Sequence, residues 1–132
     1  MVTVVVGPPC AGKSTYVGAR MAEGDVAVDY DLLARALGSR RAHEAPRPVA
    51  DVAFHARAAA VDRVLSRGYD AWIIHARPSP ADVARYRSEG CRLVLLDPGM
   101  GECLRRCGAD GRPPGTAERI AGWYESPPNL NP

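Results

Sequence analysis

At 132 residues the chain has room for one domain with a proper core and falls short of two. Its 17 basic and 15 acidic residues leave a net charge of +2, which excludes an overall basic field of the kind that sheathes nucleic acid. No apolar run nears the roughly 20 residues a membrane helix needs, and the N-terminus has neither a basic leader nor a small-residue cleavage site, so a cytoplasmic protein without a membrane partner is the expectation.

In chain order, Val2 to Val6 (Val-Thr-Val-Val-Val) is a β-branched run of the kind that forms a strand buried on both faces. Residues 13–22 read as a helix, and Gly24-Asp25 turns the chain into a second strand at 26–29. Residues 31–37 suit a short helix with Asp31 at or near its N-cap. Residues 38–48, polar, basic and broken by prolines, form an exposed loop. Apolar residues at 49, 52, 53, 56, 60, 64 and 65 have helical spacing, and Gly68 ends that helix.

Residues 71–75 make a third strand, 80–89 a helix stopped at Gly90, and 91–96 a fourth strand closed by Asp97. A helix at 101–107, a Gly- and Pro-rich loop at 108–115 and a last helix from Thr116 to about residue 125 complete the domain, 1–125. Residues 126–132, with three prolines, are an irregular tail. Strands alternating with helices predict a three-layer α/β fold, a short parallel sheet of about four strands with helices on both faces. Ligands of such folds bind beyond the carboxyl ends of the strands.

The chemistry is concentrated at residues 7–14. Gly7-Pro8-Pro9-Cys10-Ala11-Gly12-Lys13-Ser14 matches the phosphate-loop pattern in full, follows a buried-type strand and opens a helix. Gly7 and Gly12 allow the backbone to fold back so that its N–H groups converge on phosphate, assisted by the positive end of the next helix. Lys13 reaches the β- and γ-phosphates of a nucleoside triphosphate, and Ser14 offers its hydroxyl to Mg²⁺. Thr15 completes the nucleotide-binding set.

Sixteen of the 17 basic residues are arginine, and the single lysine stands at the motif position. A planar guanidinium does not replace a compact ammonium inside a tight loop. The four cysteines, Cys10, Cys91, Cys103 and Cys107, have no disulfide pattern. Cys103 and Cys107 are four apart on a helix, but no second Cys or His pair at zinc-ligand spacing accompanies them.

A phosphate loop specifies triphosphate without its fate: kinase, hydrolysing switch or motor, and binding module without turnover all use it. The segment Val26-Ala-Val-Asp29-Tyr-Asp31-Leu-Leu discriminates among them. It sets two acids at the sheet's carboxyl edge, where a phosphotransferase needs a carboxylate to take a hydroxyl proton. Capping of the helix and closure of the strand are the structural readings of the same two residues. No Asp-Glu follows an apolar run, as a motor would require, and no guanine-reading Asn-Lys-x-Asp is present.

The phosphate loop, the Asp-x-Asp-Leu-Leu-x-Arg run, the arginine-rich stretch before residue 113 and the Ile-x-x-Trp-Tyr ending together resemble the small P-loop kinases related to phage polynucleotide 5′-kinase, of the AAA-type P-loop class. The resemblance implies ATP and Mg²⁺ as cofactors and Asp31 as general base, with Asp29 the fallback. It implies Arg112 as the lid arginine on the transferring phosphate, with Arg105 and Arg106 on the preceding helix, and Arg35 as a substrate ligand, one residue out of register.

One departure stands out: many of the kinases it resembles end strand three in an acid that supports magnesium or its water shell, whereas here it reads Trp72-Ile-Ile-His75-Ala-Arg77. Asp97 either supports metal or caps the next turn. Arg40, Arg41, His43 and Arg47 on the 38–48 loop suit a phosphate-bearing acceptor, a nucleic-acid end or a nucleoside-like alcohol, or simply face solvent. His55 and His75 read as packed or strand-end histidines. Trp72 reads as core, and Trp123 and Tyr124, adjacent on one helix, cannot both be buried, which leaves one to stack on a base.

Overall fold

The computed structural model describes all 132 residues. Four strands, β1 (Val2–Val6), β2 (Val26–Val28), β3 (Ala71–Ile74) and β4 (Arg92–Leu95), form one parallel sheet in the order β2-β3-β1-β4. Six helices connect and follow them: α1 (Lys13–Arg20), α2 (Tyr30–Ala36), α3 (Arg47–Arg67), α4 (Pro80–Ser88), α5 (Met100–Ala109) and α6 (Thr116–Glu125). No helix is long and apolar enough to cross a membrane.

The burial of β1 follows from its place in that order. It lies between β3 and β4, with Val4 opposite Ile73 on one side and Leu93 on the other, and all five of its residues are buried. Covered on both faces, it has no use for polar alternation. The core joins Val2, Val4 and Val6 to Ile73 of β3 and to Val61, Val64 and Leu65 of α3, each full burial worth about 2 kcal/mol. Leu130 of the irregular terminal segment packs back against this cluster.

Helix ends show where local chemistry acted. α2 is capped by Asp29, whose carboxylate accepts the Asp31 N–H at 3.0 Å, so Asp31 lies in the first turn. α3 starts two residues before the apolar pattern does, because Pro48 fits a first turn in which its missing N–H costs nothing. α6 is preceded by Gly115 at φ 89°, and Thr116 is its first helical residue rather than its cap. The Thr116 hydroxyl instead donates to Pro113 O at 2.8 Å.

Trp72 is half-buried rather than core. Its Nε1 donates to Asp25 Oδ2 at 3.1 Å and its ring meets the edge of Tyr16, which ties β3 to α1 and the turn after it. The buried tryptophan is Trp123, 3 % exposed, whose Nε1 donates to Ala76 O at 2.7 Å. Its neighbour Tyr124 donates to Asp97 Oδ1 at 2.6 Å. Of the two, Trp123 is therefore closed to stacking on a base, while Tyr124 is partly exposed.

Candidate nucleotide and acceptor site

The chain leaves the carboxyl end of β1 and crosses past β3 to reach β2, while β4 lies on the other side of β1. That reversal opens a crevice at the end of β1, where α/β sheets take their ligands, and residues 7–14 fill it. Gly7 is obligatory by contact: a Cβ there would sit 2.6 Å from the backbone oxygen of Leu96. Cys10 at φ 65° and Gly12 at φ 86° bend the loop round on itself. Lys13 Nζ donates to Gly7 O at 2.9 Å and Pro8 O at 2.7 Å, closing the curl. Burial, reinforced by the nearby Arg112 charge, lowers the Lys13 ammonium to about 8 against the partial opposition of Asp31.

Ser14 Oγ donates to Asp29 Oδ2 at 2.9 Å, and Asp29 is itself buried. A hydroxyl beside a carboxylate at the mouth of a phosphate loop is the hard-oxygen donor set that suits Mg²⁺. Strand three offers no such group. His75 follows it, and burial, helped by the Arg57 charge and opposed by Asp82, lowers its imidazole to about 4. Neutral, it shares a 2.9 Å hydrogen bond with the Tyr86 hydroxyl. Asp97 lies outside the crevice and caps its own turn, accepting from Gly99 N–H and the Tyr124 hydroxyl.

Two cavities meet over the loop and share Gly12, Thr15 and Arg112. One, of about 560 Å³, runs out between Tyr16, Leu96 and Arg106. The other, of about 640 Å³, has Lys13, Ser14, Asp29 and Asp31 in its wall and continues to Phe54, Arg57, Arg77 and Arg119. Arg106 comes from α5, where Glu102 accepts from its Nε at 3.0 Å while Nη1 donates to Cys10 O at 3.3 Å. It therefore presses directly on the phosphate loop. Cys10 packs there against Cys103, Ile120 and the partly buried Cys107, and the three cysteines are free of disulfides.

The residues singled out from sequence thus divide. Gly7 to Thr15, Asp29, Asp31, Arg106 and Arg112 converge on the crevice. Arg105 does not: it faces solvent and pairs with Glu102 at 2.7 Å. Arg35, Arg40 and Arg41 line neither cavity, Arg41 resting 3.6 Å from Glu44 on an exposed loop. The arginines in the cavity wall are instead Arg57, Arg77, Arg112 and Arg119. Arg57 was legible, since it falls four residues after Ala53 and four before Val61 on the buried stripe of α3. An arginine on an apolar stripe needs a purpose, and its Nη2 donates to Ile74 O at 3.0 Å, at the end of β3. Arg77 donates to Ser126 O and Arg119 to Thr116 Oγ1 at 2.9 Å.

No protein-family model and no curated protein matches this sequence. Among solved structures, the chain is similar to a chain in the structure of the Pnkp1/Rnl/Hen1 RNA repair complex, at 16 % identity and a TM-score of 0.67. The alignment covers 99 % of this chain and 49 % of that one, so the protein spans about half the length of its neighbour. The likeness establishes the fold: a four-stranded parallel α/β sheet with its connecting helices.

Proposed function

We propose that the protein is an ATP-dependent phosphotransferase that moves the γ-phosphate to a hydroxyl, most simply the 5′-hydroxyl of a nucleic-acid end or of a nucleoside-like alcohol. The observation that carries this reading is the shape of the larger cavity. Besides the phosphate loop and Asp31, its lining has a second half that includes Phe54, Arg57, Arg77 and Arg119. A site built only to hydrolyse nucleotide has no use for that second half. Cations beside an exposed aromatic ring suit an acceptor with phosphates and a base.

In this reading the loop amides and Lys13 hold the β- and γ-phosphates, and Arg112 lies over the phosphate in flight. Asp31 accepts the acceptor's hydroxyl proton as its oxygen bonds to the γ-phosphorus. The bond from that phosphorus to the β,γ-bridging oxygen breaks, and ADP leaves. Ser14 and Asp29 would hold Mg²⁺, which neutralises charge on the β- and γ-oxygens when bound. With His75 neutral, Asp29 would be the carboxylate that supports the ion. The likeness to a chain of an RNA repair complex supports a nucleic-acid acceptor.

The test is a labelled-ATP screen over 5′-hydroxyl RNA and DNA oligonucleotides, nucleosides and small alcohols. Transfer to an oligonucleotide or nucleoside, abolished by Asp31→Ala, is expected. Transfer that survives Asp31→Ala removes Asp31 as base. Phosphate release indifferent to every acceptor makes the protein a hydrolase, and ATP retained without turnover makes it a binding module.

A further inference from the structure

The segment between α2 and α3, residues 37–46, plays no part in the chemistry above, yet it is folded around a buried side chain. Ser39 is 5 % exposed. Its N–H donates to Ala34 O at 2.9 Å, and its hydroxyl lies 2.9 Å from Arg41 O and 3.3 Å from Glu44 O. One hydroxyl thereby draws together the two ends of the short span 41–44. The turn is fixed from within even though its charged side chains, Arg40, Arg41 and Glu44, are exposed.

His43 sits within that span at φ 65°. Only two non-glycine residues of the protein have positive φ, and the other is Cys10 of the phosphate loop. Such a conformation costs a residue with a Cβ on the order of 1 kcal/mol and persists where its surroundings impose it, typically at functional sites. From there His43 Nδ1 reaches Asp31 Oδ2 at 2.8 Å. An ionised carboxylate can only accept, so Nδ1 carries the proton and donates it. Asp31 is also fixed through its backbone, by the bond from its N–H to Asp29 Oδ1. Both side chains line the larger cavity and stay partly open, His43 by 33 % and Asp31 by 40 %.

We infer that His43 is a positioning residue for Asp31, a role that rests on the phosphotransfer reading above. Its Nδ1–H holds Oδ2 and stops the carboxylate from rotating, which leaves Oδ1 as the oxygen that takes the acceptor's proton. A carboxylate on an exposed first turn samples several rotamers, and misplacement of about 1 Å at a reacting group costs on the order of 10²-fold in rate. The Ser39 hub, the left-handed backbone at His43 and the His43–Asp31 bond form one chain of support for a single oxygen atom.

Two substitutions separate side chain from backbone. His43→Gly keeps the left-handed conformation without strain and removes the donor. His43→Asn tolerates the same conformation and sets an amide N–H where Nδ1 stood. Transfer to the best acceptor from the screen should fall about 10- to 100-fold in kcat for His43→Gly, with KM for ATP unchanged, and return to within about threefold of wild type for His43→Asn. A His43→Gly enzyme with wild-type kcat, or a His43→Asn enzyme no better than His43→Gly, overturns the inference. The contact itself is read without activity by NMR of the three imidazoles: Asp31→Ala should move the His43 ring signals and leave those of His55 and His75 in place. Unmoved His43 signals overturn it as well. A wild-type protein that phosphorylates no acceptor removes the function and this role together, whereas a transferring enzyme indifferent to His43→Gly removes the role alone.

Discussion

Ser14 at the mouth of the phosphate loop and Asp29 at the end of β2 are joined by a 2.9 Å hydrogen bond, which links the first turn of α1 to the first turn of α2 through one carboxylate. The other oxygen of that carboxylate caps α2 by accepting from Asp31 N–H. Asp29 therefore has a structural duty and a candidate chemical one, and they can be pulled apart. Asparagine is as good an N-cap as aspartate, whereas alanine costs about 1 kcal/mol there. Asp29→Asn should unfold in urea within a few tenths of a kcal/mol of wild type, yet need severalfold more Mg²⁺ for half-maximal turnover. Asp29→Ala should lose both. An Asp29→Asn protein with the wild-type Mg²⁺ curve removes this acid from the metal's support.

Lys13 gives a prediction with a definite sign. Without ligand its ammonium is lowered to about 8 by burial and by Arg112. A triphosphate beside it favours the charged form and raises that value. Below pH 8 the group is protonated in both states and ATP affinity is flat with respect to this residue. Above pH 8 binding must take up a proton, so affinity falls by up to about tenfold per pH unit until the bound-state value is passed. Calorimetry at pH 8.5 in buffers of different ionisation enthalpy should report net proton uptake, absent at pH 7. Equal heats after buffer correction, with no proton linkage at either pH, would refute the assignment.

How much of this was written in the chain depends on the range of the interaction. The phosphate loop, the four strands and six helices, and Asp31 at the sheet edge are local patterns, and each is legible from spacing and chain order. In the kinases the sequence resembles, strand three ends in an acid, and here it does not. It is Asp29 that meets Ser14, and that contact depends on β2 lying two strands away from β1, a fact of topology. The arginines on the 38–48 loop form a cluster in sequence, yet Arg40 and Arg41 line neither cavity, while His43, between them and the next helix, reaches Asp31. Ser39 decides that, and nothing in the spacing of a serine announces that it will be buried.

His75 provides a stability test at the position where an acid was missed. Its imidazole, ordinarily near 6.5, is lowered to about 4 by burial and by Arg57. The unfolded chain therefore binds the extra proton between pH 6.5 and 4, and the native state loses stability as pH falls through that window. Two pH units within it correspond to about 2 to 3 kcal/mol. Urea unfolding at pH 7 and pH 4.5 should show a loss of that order in wild type beyond the loss in His75→Gln, whose amide cannot titrate but can still meet the Tyr86 hydroxyl. Equal losses in the two proteins place the acid sensitivity elsewhere, on the carboxylates.

The acceptor half of the cavity is tested by the contrast between arginines that line it and arginines that do not. Arg119, on α6, lines it and is anchored to Thr116 Oγ1 at 2.9 Å, and Arg40 is exposed on the loop outside both cavities. If Arg119 contacts an acceptor phosphate, Arg119→Ala should raise KM for a 5′-hydroxyl oligonucleotide about tenfold and leave KM for ATP within twofold, since one charged hydrogen bond is worth about 1.5 to 3 kcal/mol. The slope of log(kcat/KM) against log salt should fall by close to one, the share of one phosphate contact. For a nucleoside, which has no phosphate, Arg119→Ala should change little. Arg40→Ala should resemble wild type with every acceptor. The opposite ranking, with Arg40→Ala impaired and Arg119→Ala not, would return the acceptor to the exposed loop and leave the second half of the cavity without a ligand.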